Sequence, residues 1–93
     1  MIIGVPKEIK NHEYRVGMTP ASVRELVAHG HTVFVEHNAG NGIGFGDADY
    51  TTAGATVLAT ATEVFAKADM IVKVKEPQSA EREMLREGQI LYT

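Results

Sequence analysis

Short apolar runs alternate with helix-like segments along the whole chain, and this alternation constrains the fold more than any other feature. Strands are predicted at residues 2–5, 32–36, 56–58, 70–74 and 89–93. Each gap between them contains residues that are typical of helix starts and ends. Strands that alternate with helices form βαβ units, in which a parallel sheet is covered on both faces.

We therefore predict an α/β fold with a three-layer, doubly wound and mainly parallel sheet of the flavodoxin-like or Rossmann-like type. The expected strand order is 3-2-1-4-5, with the switch point between the first and fourth strands. The third strand is the weakest of the five. It is predicted either as an edge strand or as missing.

Several residues fix the expected helix boundaries. Thr19 and Pro20 suit an N-cap and the first helical position, and Gly30 suits the residue after the helix end. Thr60 and Glu63 have the spacing of a capping box. Asp47 is predicted as the N-cap of a short helix, and Gly54 as the residue that ends it. A polar surface helix is predicted over Ser79–Glu87, and a core strand over Gln89–Thr93.

The composition excludes several classes of protein. The 93 residues suffice for one compact domain, and the net charge of −3 with no basic cluster gives no indication of nucleic-acid binding. No apolar run is long enough for a membrane span or a secretory signal, so we expect a cytoplasmic protein. The absence of cysteine excludes thiolate zinc sites. Because the chain ends on a predicted core strand with no closing helix, we expect residues 1–93 to be a piece of something longer.

The glycine-rich segment after the second strand resembles a phosphate-binding loop only in composition. Its glycines lie at positions 40, 42, 44 and 46, and no frame completes the G-x-G-x-x-G pattern. Asp47 and Asp49 would place negative charge where a phosphate needs the helix N-terminus. We interpret the segment as a surface connection.

Two segments are better candidates for a ligand site, because both are expected at the carboxyl ends of strands near the switch point. The loop from Pro6 to Thr19 is long for a βα connection, and its Arg15 suits bidentate binding of a carboxylate or phosphate. Alternatively, Arg15 pairs with Glu8 or Glu13 and only orders the loop.

The second segment is IVKVKEP, from Ile71 to Pro77. Alternation places Lys73 and Lys75 on one face of the fourth strand, which is unusual in a parallel sheet. Lys75 would lie at the carboxyl end, where it could polarise a carbonyl or hold an anion, whereas Lys73 lies deeper and is interpreted as structural. Alternatively, this face of the fourth strand is exposed to solvent near the sheet edge, and the lysines are ordinary surface residues.

The histidines do not indicate a metal site, because no H-E-x-x-H pattern is present. His12 lies in the Arg15 loop and could contact a ligand. A solvated loop histidine is the simpler interpretation.

Three strings of residues together resemble the amino-terminal region of the alanine dehydrogenase and NAD(P) transhydrogenase alpha-subunit family. They are GVPKEIKNHEYRVGMTP, AGNGIGFGDADYTTAGA and IVKVKEP, and the resemblance spans essentially the whole chain. KVKEP and GFGDADY are more similar to the alanine dehydrogenase branch. Two positions depart from the family pattern: His12 stands where asparagine is usual, and Gly17 stands where alanine is usual.

The resemblance implies an enzyme that interconverts L-alanine and pyruvate with ammonia and NAD. Arg15 would bind the substrate carboxylate, and Lys75 would contact the carbonyl or carboxylate oxygen. The resemblance places the NAD-binding Rossmann domain and the catalytic histidine and aspartate beyond Thr93. The fragment alone should therefore be inactive, without catalytic, cofactor or metal residues of its own, and the parent enzyme is expected to be a homo-oligomer, a hexamer. The alternatives are a transhydrogenase alpha-subunit domain and a non-catalytic binding or oligomerisation domain.

Overall fold

The computed structural model describes all 93 residues and contains one five-stranded sheet in which every neighbouring pair is parallel. The strand order is β3-β2-β1-β4-β5, so the predicted order is confirmed. The third strand is present as an edge strand. The strands are β1 (Ile2–Val5), β2 (Thr32–Glu36), β3 (Thr56–Leu58), β4 (Met70–Val72) and β5 (Ile90–Tyr92).

Four α-helices connect the strands, and a short 3-10 turn lies over Asn41–Ile43. The predicted caps of the first and third helices are confirmed: the Thr19 side chain accepts from the backbone N–H of Ser22, and that of Thr60 accepts from Glu63. Gly30 and Gly54 adopt positive φ after two helix ends, as glycine permits. The helices are α1 (Pro20–Ala28), α2 (Asp47–Thr52), α3 (Ala61–Lys67) and α4 (Ser79–Arg82). None of them is long and apolar enough to cross a membrane.

Two hydrophobic clusters form the core. The larger joins β1 and β2 to α1 and α2, and the smaller joins α3 to β4. Val23 is fully buried, and Leu26 and Val27 on the same face of α1 pack beside it. In the smaller cluster Val64 and Phe65 are fully buried. Burial of one such side chain stabilises the fold by about 1.5–3 kcal/mol, so these contacts hold the helices on the sheet.

Two strand predictions were wrong in detail. β4 ends at Val72 and not at Val74, because the backbone N–H groups of Val74 and Lys75 donate to the Glu8 carboxylate and not to a neighbouring strand. β5 was predicted as a core strand, but its three side chains are exposed because it lies at the sheet edge. Tyr92 borders a largely apolar cavity of about 460 Å³ on that side of the sheet.

Two helix predictions were also wrong. The predicted surface helix over Ser79–Glu87 is helical only to Arg82, and its Glu81 is buried. Asp47 is not the N-cap of α2, because Gly46 occupies that position. The Asp47 carboxylate instead accepts from the backbone N–H of Asn38 at 2.9 Å. Asp49 serves the helix start by accepting from the Gly46 N–H at 2.9 Å.

Candidate functional site

The loop after β1 and the segment after β4 lie side by side at the carboxyl edge of the sheet. They meet because β1 pairs directly with β4, as the predicted switch point requires. Three cation–carboxylate contacts join the two segments: Lys73 with Glu8, Lys75 with Glu13, and Lys10 with Glu76. The predicted meeting of these two segments is confirmed.

Arg15 holds the carboxylate of Glu13 with one edge of its guanidinium group. Its Nε donates to Oε2 at 2.9 Å, its Nη2 donates to Oε1 at 2.8 Å, and its backbone N–H also donates to Oε2. These bonds lower the pKa of Glu13 to about 2 and raise the pKa of Arg15, so both groups stay charged at neutral pH. Glu13 is one of the two partners that the sequence left open for Arg15.

Lys75 approaches the same oxygen of Glu13 from the other segment. Its Nζ lies 3.9 Å from Oε1, the atom that also accepts from Arg15 Nη2. The Glu13 side chain is 6% exposed, whereas those of Arg15 and Lys75 are 64% and 40% exposed. The two predicted site residues therefore converge on one carboxylate, with their cationic groups accessible to water.

A cavity of about 380 Å³ opens beside Arg15. The β1–α1 loop forms one wall, including Lys7, Lys10, His12 and Arg15, and the glycine-rich loop after β2 forms the other. Lys75 is not part of the lining. Most of the residues that line the cavity are polar or charged, so it offers several hydrogen-bonding and charged groups to a small polar molecule.

Lys73 is buried and serves the structure, as predicted from the sequence. Its Nζ donates to Glu8 Oε1 at 3.0 Å and lies 2.8 Å from Glu81 Oε2, a close ion pair without the geometry of a hydrogen bond. All three side chains are almost completely buried. The roles of Glu8 and Glu81 were missed. The available signal was Lys73 itself, because a lysine on a buried strand face requires a carboxylate partner.

The glycines of the second loop permit close packing. A Cβ on Gly40 would lie 2.8 Å from the Tyr50 ring, and one on Gly42 would lie 2.6 Å from the carbonyl oxygen of Tyr14. The carboxylates of Asp47 and Asp49, at the start of α2, both accept hydrogen bonds from backbone N–H groups of this loop. A dinucleotide phosphate would meet negative charge there, so the residues of this loop do not fit an NAD phosphate site.

Both departures from the family pattern fall at backbone positions with a physical requirement. His12 has a φ of +63°, a left-handed conformation that asparagine and histidine tolerate better than most residues. Gly17 packs against β4, where a Cβ would lie 2.5 Å from the carbonyl oxygen of Val72. Alanine at that position would require the Arg15 loop to move away from β4.

These features define the class of protein as a doubly wound α/β domain whose charged side chains gather at the switch point. The family described as "Alanine dehydrogenase/PNT, N-terminal domain" matches residues 4–93. The chain therefore belongs to this family, and the resemblance found in the sequence is confirmed.

The individual relatives agree with the family match. Alanine dehydrogenases from Methanococcus maripaludis and Mycobacterium tuberculosis are 57% and 50% identical to the chain over 93 residues. These matches cover 100% of the chain and 25% of each relative. The chain thus spans about a quarter of the length of the curated relatives that it matches.

Solved structures of both branches share the fold. A structure of L-alanine dehydrogenase superposes with a TM-score of 0.95 at 55% identity, covering 98% of this chain and 25% of that one. The transhydrogenase from Sinorhizobium meliloti gives a TM-score of 0.90 at 36% identity, covering 98% of this chain and 26% of that one.

Proposed function

We propose that this chain is the N-terminal part of the substrate domain of an NAD-dependent L-alanine dehydrogenase. In this proposal Arg15 binds the substrate carboxylate, and Lys75 contacts the carbonyl or carboxylate oxygen. The observation that carries it is the convergence of both cations on one oxygen of Glu13, at 2.8 and 3.9 Å. Two cations from different segments that reach one internal carboxylate have the spacing to reach the carboxylate and the adjacent oxygen of a 2-oxo acid.

The residues of this chain would bind and orient the substrate. Arg15 uses its Nε and Nη2 atoms for Glu13, which fixes the plane of the guanidinium group and leaves Nη1 as a donor for the substrate carboxylate. Lys75 would stabilise the negative charge that develops on the carbonyl oxygen of pyruvate when ammonia adds to C2, before that oxygen leaves as water and C2 of the resulting imine is reduced. Holding the substrate in one orientation is itself a large part of catalysis in such a reaction.

The other parts of the reaction belong to the proposal as properties of the longer protein. Its NAD would be bound by a Rossmann domain outside these 93 residues, because the glycine-rich loop does not fit a dinucleotide phosphate. The acid–base groups would also lie outside the fragment. A cytoplasmic location is kept as the expectation drawn from the sequence, and a homo-hexamer is included on the basis of the family resemblance alone.

The test is the oxidation of NADH by the full-length protein, supplied with pyruvate in the presence and absence of ammonium. We expect oxidation that depends on both. Replacement of Arg15 by alanine should raise the KM for pyruvate by about 10- to 100-fold, since a hydrogen bond between charged groups contributes roughly 1.5–3 kcal/mol to binding. The KM for NADH should not change. An Arg15→Ala enzyme with unchanged pyruvate kinetics would contradict the assignment.

The second candidate is a transhydrogenase alpha-subunit domain, which the match to the Sinorhizobium meliloti structure supports. It predicts hydride exchange between NADPH and an NAD analogue, with no requirement for pyruvate or ammonium. If neither NADH oxidation nor hydride exchange is detected, a non-catalytic binding or oligomerisation domain is favoured.

A further inference from the structure

The geometry points to Glu8 as the residue that positions Lys75 relative to Arg15. The inference rests on the proposed function, because it concerns the same substrate site. Glu8 does not contact the substrate in this scheme. It acts through the backbone of the segment that carries Lys75.

The first step is the loss of strand structure after Val72. The backbone N–H of Lys73 still donates to Tyr92 of the neighbouring strand. The next two N–H groups donate to the carboxylate of Glu8 instead, Val74 to Oε2 at 3.0 Å and Lys75 to Oε1 at 3.3 Å. One side chain therefore sets the backbone of Lys75 in place of a sheet partner.

The second step is the fixed position of that carboxylate. Lys73 Nζ donates to Glu8 Oε1 at 3.0 Å, and the side chains of both residues are 1% exposed. A buried ion pair gains little stability over apolar residues of the same size, because both charges lose their hydration. An apolar side chain could not accept two backbone N–H groups. We therefore interpret the buried Glu8–Lys73 pair as orienting the backbone of the Lys75 segment more than as stabilising the fold.

The third step is the position of Glu8 in the sequence. It lies in the same β1–α1 loop as Arg15, seven residues earlier. The loop that presents one substrate cation thus holds the backbone of the other. A shift of the loop would move both cations together and preserve the distance between them.

Glu81 provides a matched control for this role. It contacts the same Lys73 Nζ and is equally buried, but its other oxygen accepts from the Gln78 N–H at 2.9 Å and it makes no bond to Val74 or Lys75. Replacing either glutamate by glutamine removes one negative charge from Lys73. Only the change at Glu8 removes an acceptor from the Lys75 segment.

The experiment compares Glu8→Gln and Glu81→Gln in the full-length protein. We expect both to lower the thermal midpoint, but only Glu8→Gln to raise the KM for pyruvate, by about 10-fold, with kcat within about threefold of wild type and the KM for NADH unchanged. Glu81→Gln should change the pyruvate KM by less than twofold. Glu8→Asp, which keeps the charge and both oxygens, should recover part of the lost affinity.

Equal effects of the two glutamine variants on the pyruvate KM, or no effect at Glu8, would overturn the inference. If the inference fails in this way, the proposed function still stands, provided that the wild-type enzyme shows ammonium-dependent activity and the Arg15→Ala variant is defective. A wild-type protein without that activity would overturn both. If Glu8→Gln does not fold, Glu8→Asp alone must show a raised pyruvate KM with an unchanged NADH KM for the inference to stand.

Discussion

Two loops leave the carboxyl ends of neighbouring strands and line the same cavity, but they are built in opposite ways. The loop after β1 is rich in charged side chains, and its Glu8, Glu13 and Arg15 form ion pairs and hydrogen bonds with named partners. The loop after β2 contains four glycines, and two of them, Gly40 and Gly42, allow close approach to Tyr50 and Tyr14. The first loop carries the charged side chains of the candidate site, whereas the second loop supplies a surface against which the first can pack.

The comparison shows why a glycine-rich loop need not bind phosphate. Gly42 lies where a Cβ would meet the backbone of Tyr14, one residue before Arg15. Its small size therefore serves the neighbouring loop. The same residue type serves phosphate sites by allowing a ligand to approach the backbone, and here a protein segment approaches instead.

The largest effect should come from adding a side chain to that contact. Gly42→Ser would place a Cβ 2.6 Å from the Tyr14 carbonyl oxygen, so the Arg15 loop must move. We expect the free energy of unfolding to fall by about 2 kcal/mol and the pyruvate KM of the full-length enzyme to rise. Gly46→Ser is the control, because nothing lies near its Cβ position and serine is a favourable N-cap. Similar results for both variants would show that the two loops do not depend on each other.

A smaller effect should follow from removing the hydrogen bond that joins helix α2, which follows the glycine-rich loop, to the loop after β1. The buried Tyr50 hydroxyl donates to the carbonyl oxygen of Met18 at 2.8 Å, and burial raises the pKa of Tyr50 to about 12, so it stays neutral. Tyr50→Phe should lower the free energy of unfolding by about 1 kcal/mol in urea titrations. Tyr14→Phe, at an exposed position, should leave it unchanged. An equal loss in both would argue against the role of this bond.

Changes at His12 test whether the first loop requires this side chain or only its backbone conformation. His12→Asn should leave pyruvate kinetics and the unfolding free energy almost unchanged, because asparagine also tolerates the left-handed φ of +63°. His12→Val should destabilise the protein by about 1 kcal/mol through backbone strain. A large rise in the pyruvate KM of the asparagine variant would instead make His12 a ligand-binding residue.

The smallest effect on stability is expected for Glu13→Gln. Because Arg15 lowers the folded-state pKa of Glu13 from 4.5 to about 2, the ionised pair stabilises the folded protein above about pH 4.5 and loses this contribution as the pH falls toward 2. The exposure of Arg15 keeps the contribution small. Urea midpoints of the wild type and the variant should differ slightly and by a constant amount from pH 9 to 5, then converge. A difference that grows on acidification would contradict the pairing.

Most of the fold could be predicted from the sequence because its signals are local. The apolar run at Ile2–Val5 and the caps at Thr19 and Thr60 each act within a few residues, and each is confirmed. The reciprocal bond of a capping box is not formed at Thr60, because the Glu63 carboxylate accepts from the Thr60 hydroxyl instead. Alternation and the rules of βαβ connections then gave the order of all five strands. Predictions failed where a local signal was overridden by a tertiary contact, as at Asp47, whose carboxylate turns to Asn38.

The sequence also selected Arg15, in the long loop after the first strand, and Lys75, at the predicted carboxyl end of the fourth strand, because these two strands flank the switch point. It could not decide which carboxylate would lie between them, since Glu8 and Glu13 were equal candidates for Arg15. It also missed the bonds from Val74 and Lys75 to Glu8, which shorten β4.

The sequence by itself determined the α/β class, the strand order and the positions of the two candidate cations, because periodicity, caps and strand ends are properties of neighbouring residues. Only the tertiary structure decided the pairing of Glu8 with Lys73 and of Glu13 with Arg15 and Lys75. Glu8 and Lys73 are 65 residues apart, and their meeting depends on the path of a loop that no periodic pattern describes. A pattern indicates that a charge is buried, but the partner that neutralises it is fixed only when distant segments pack together.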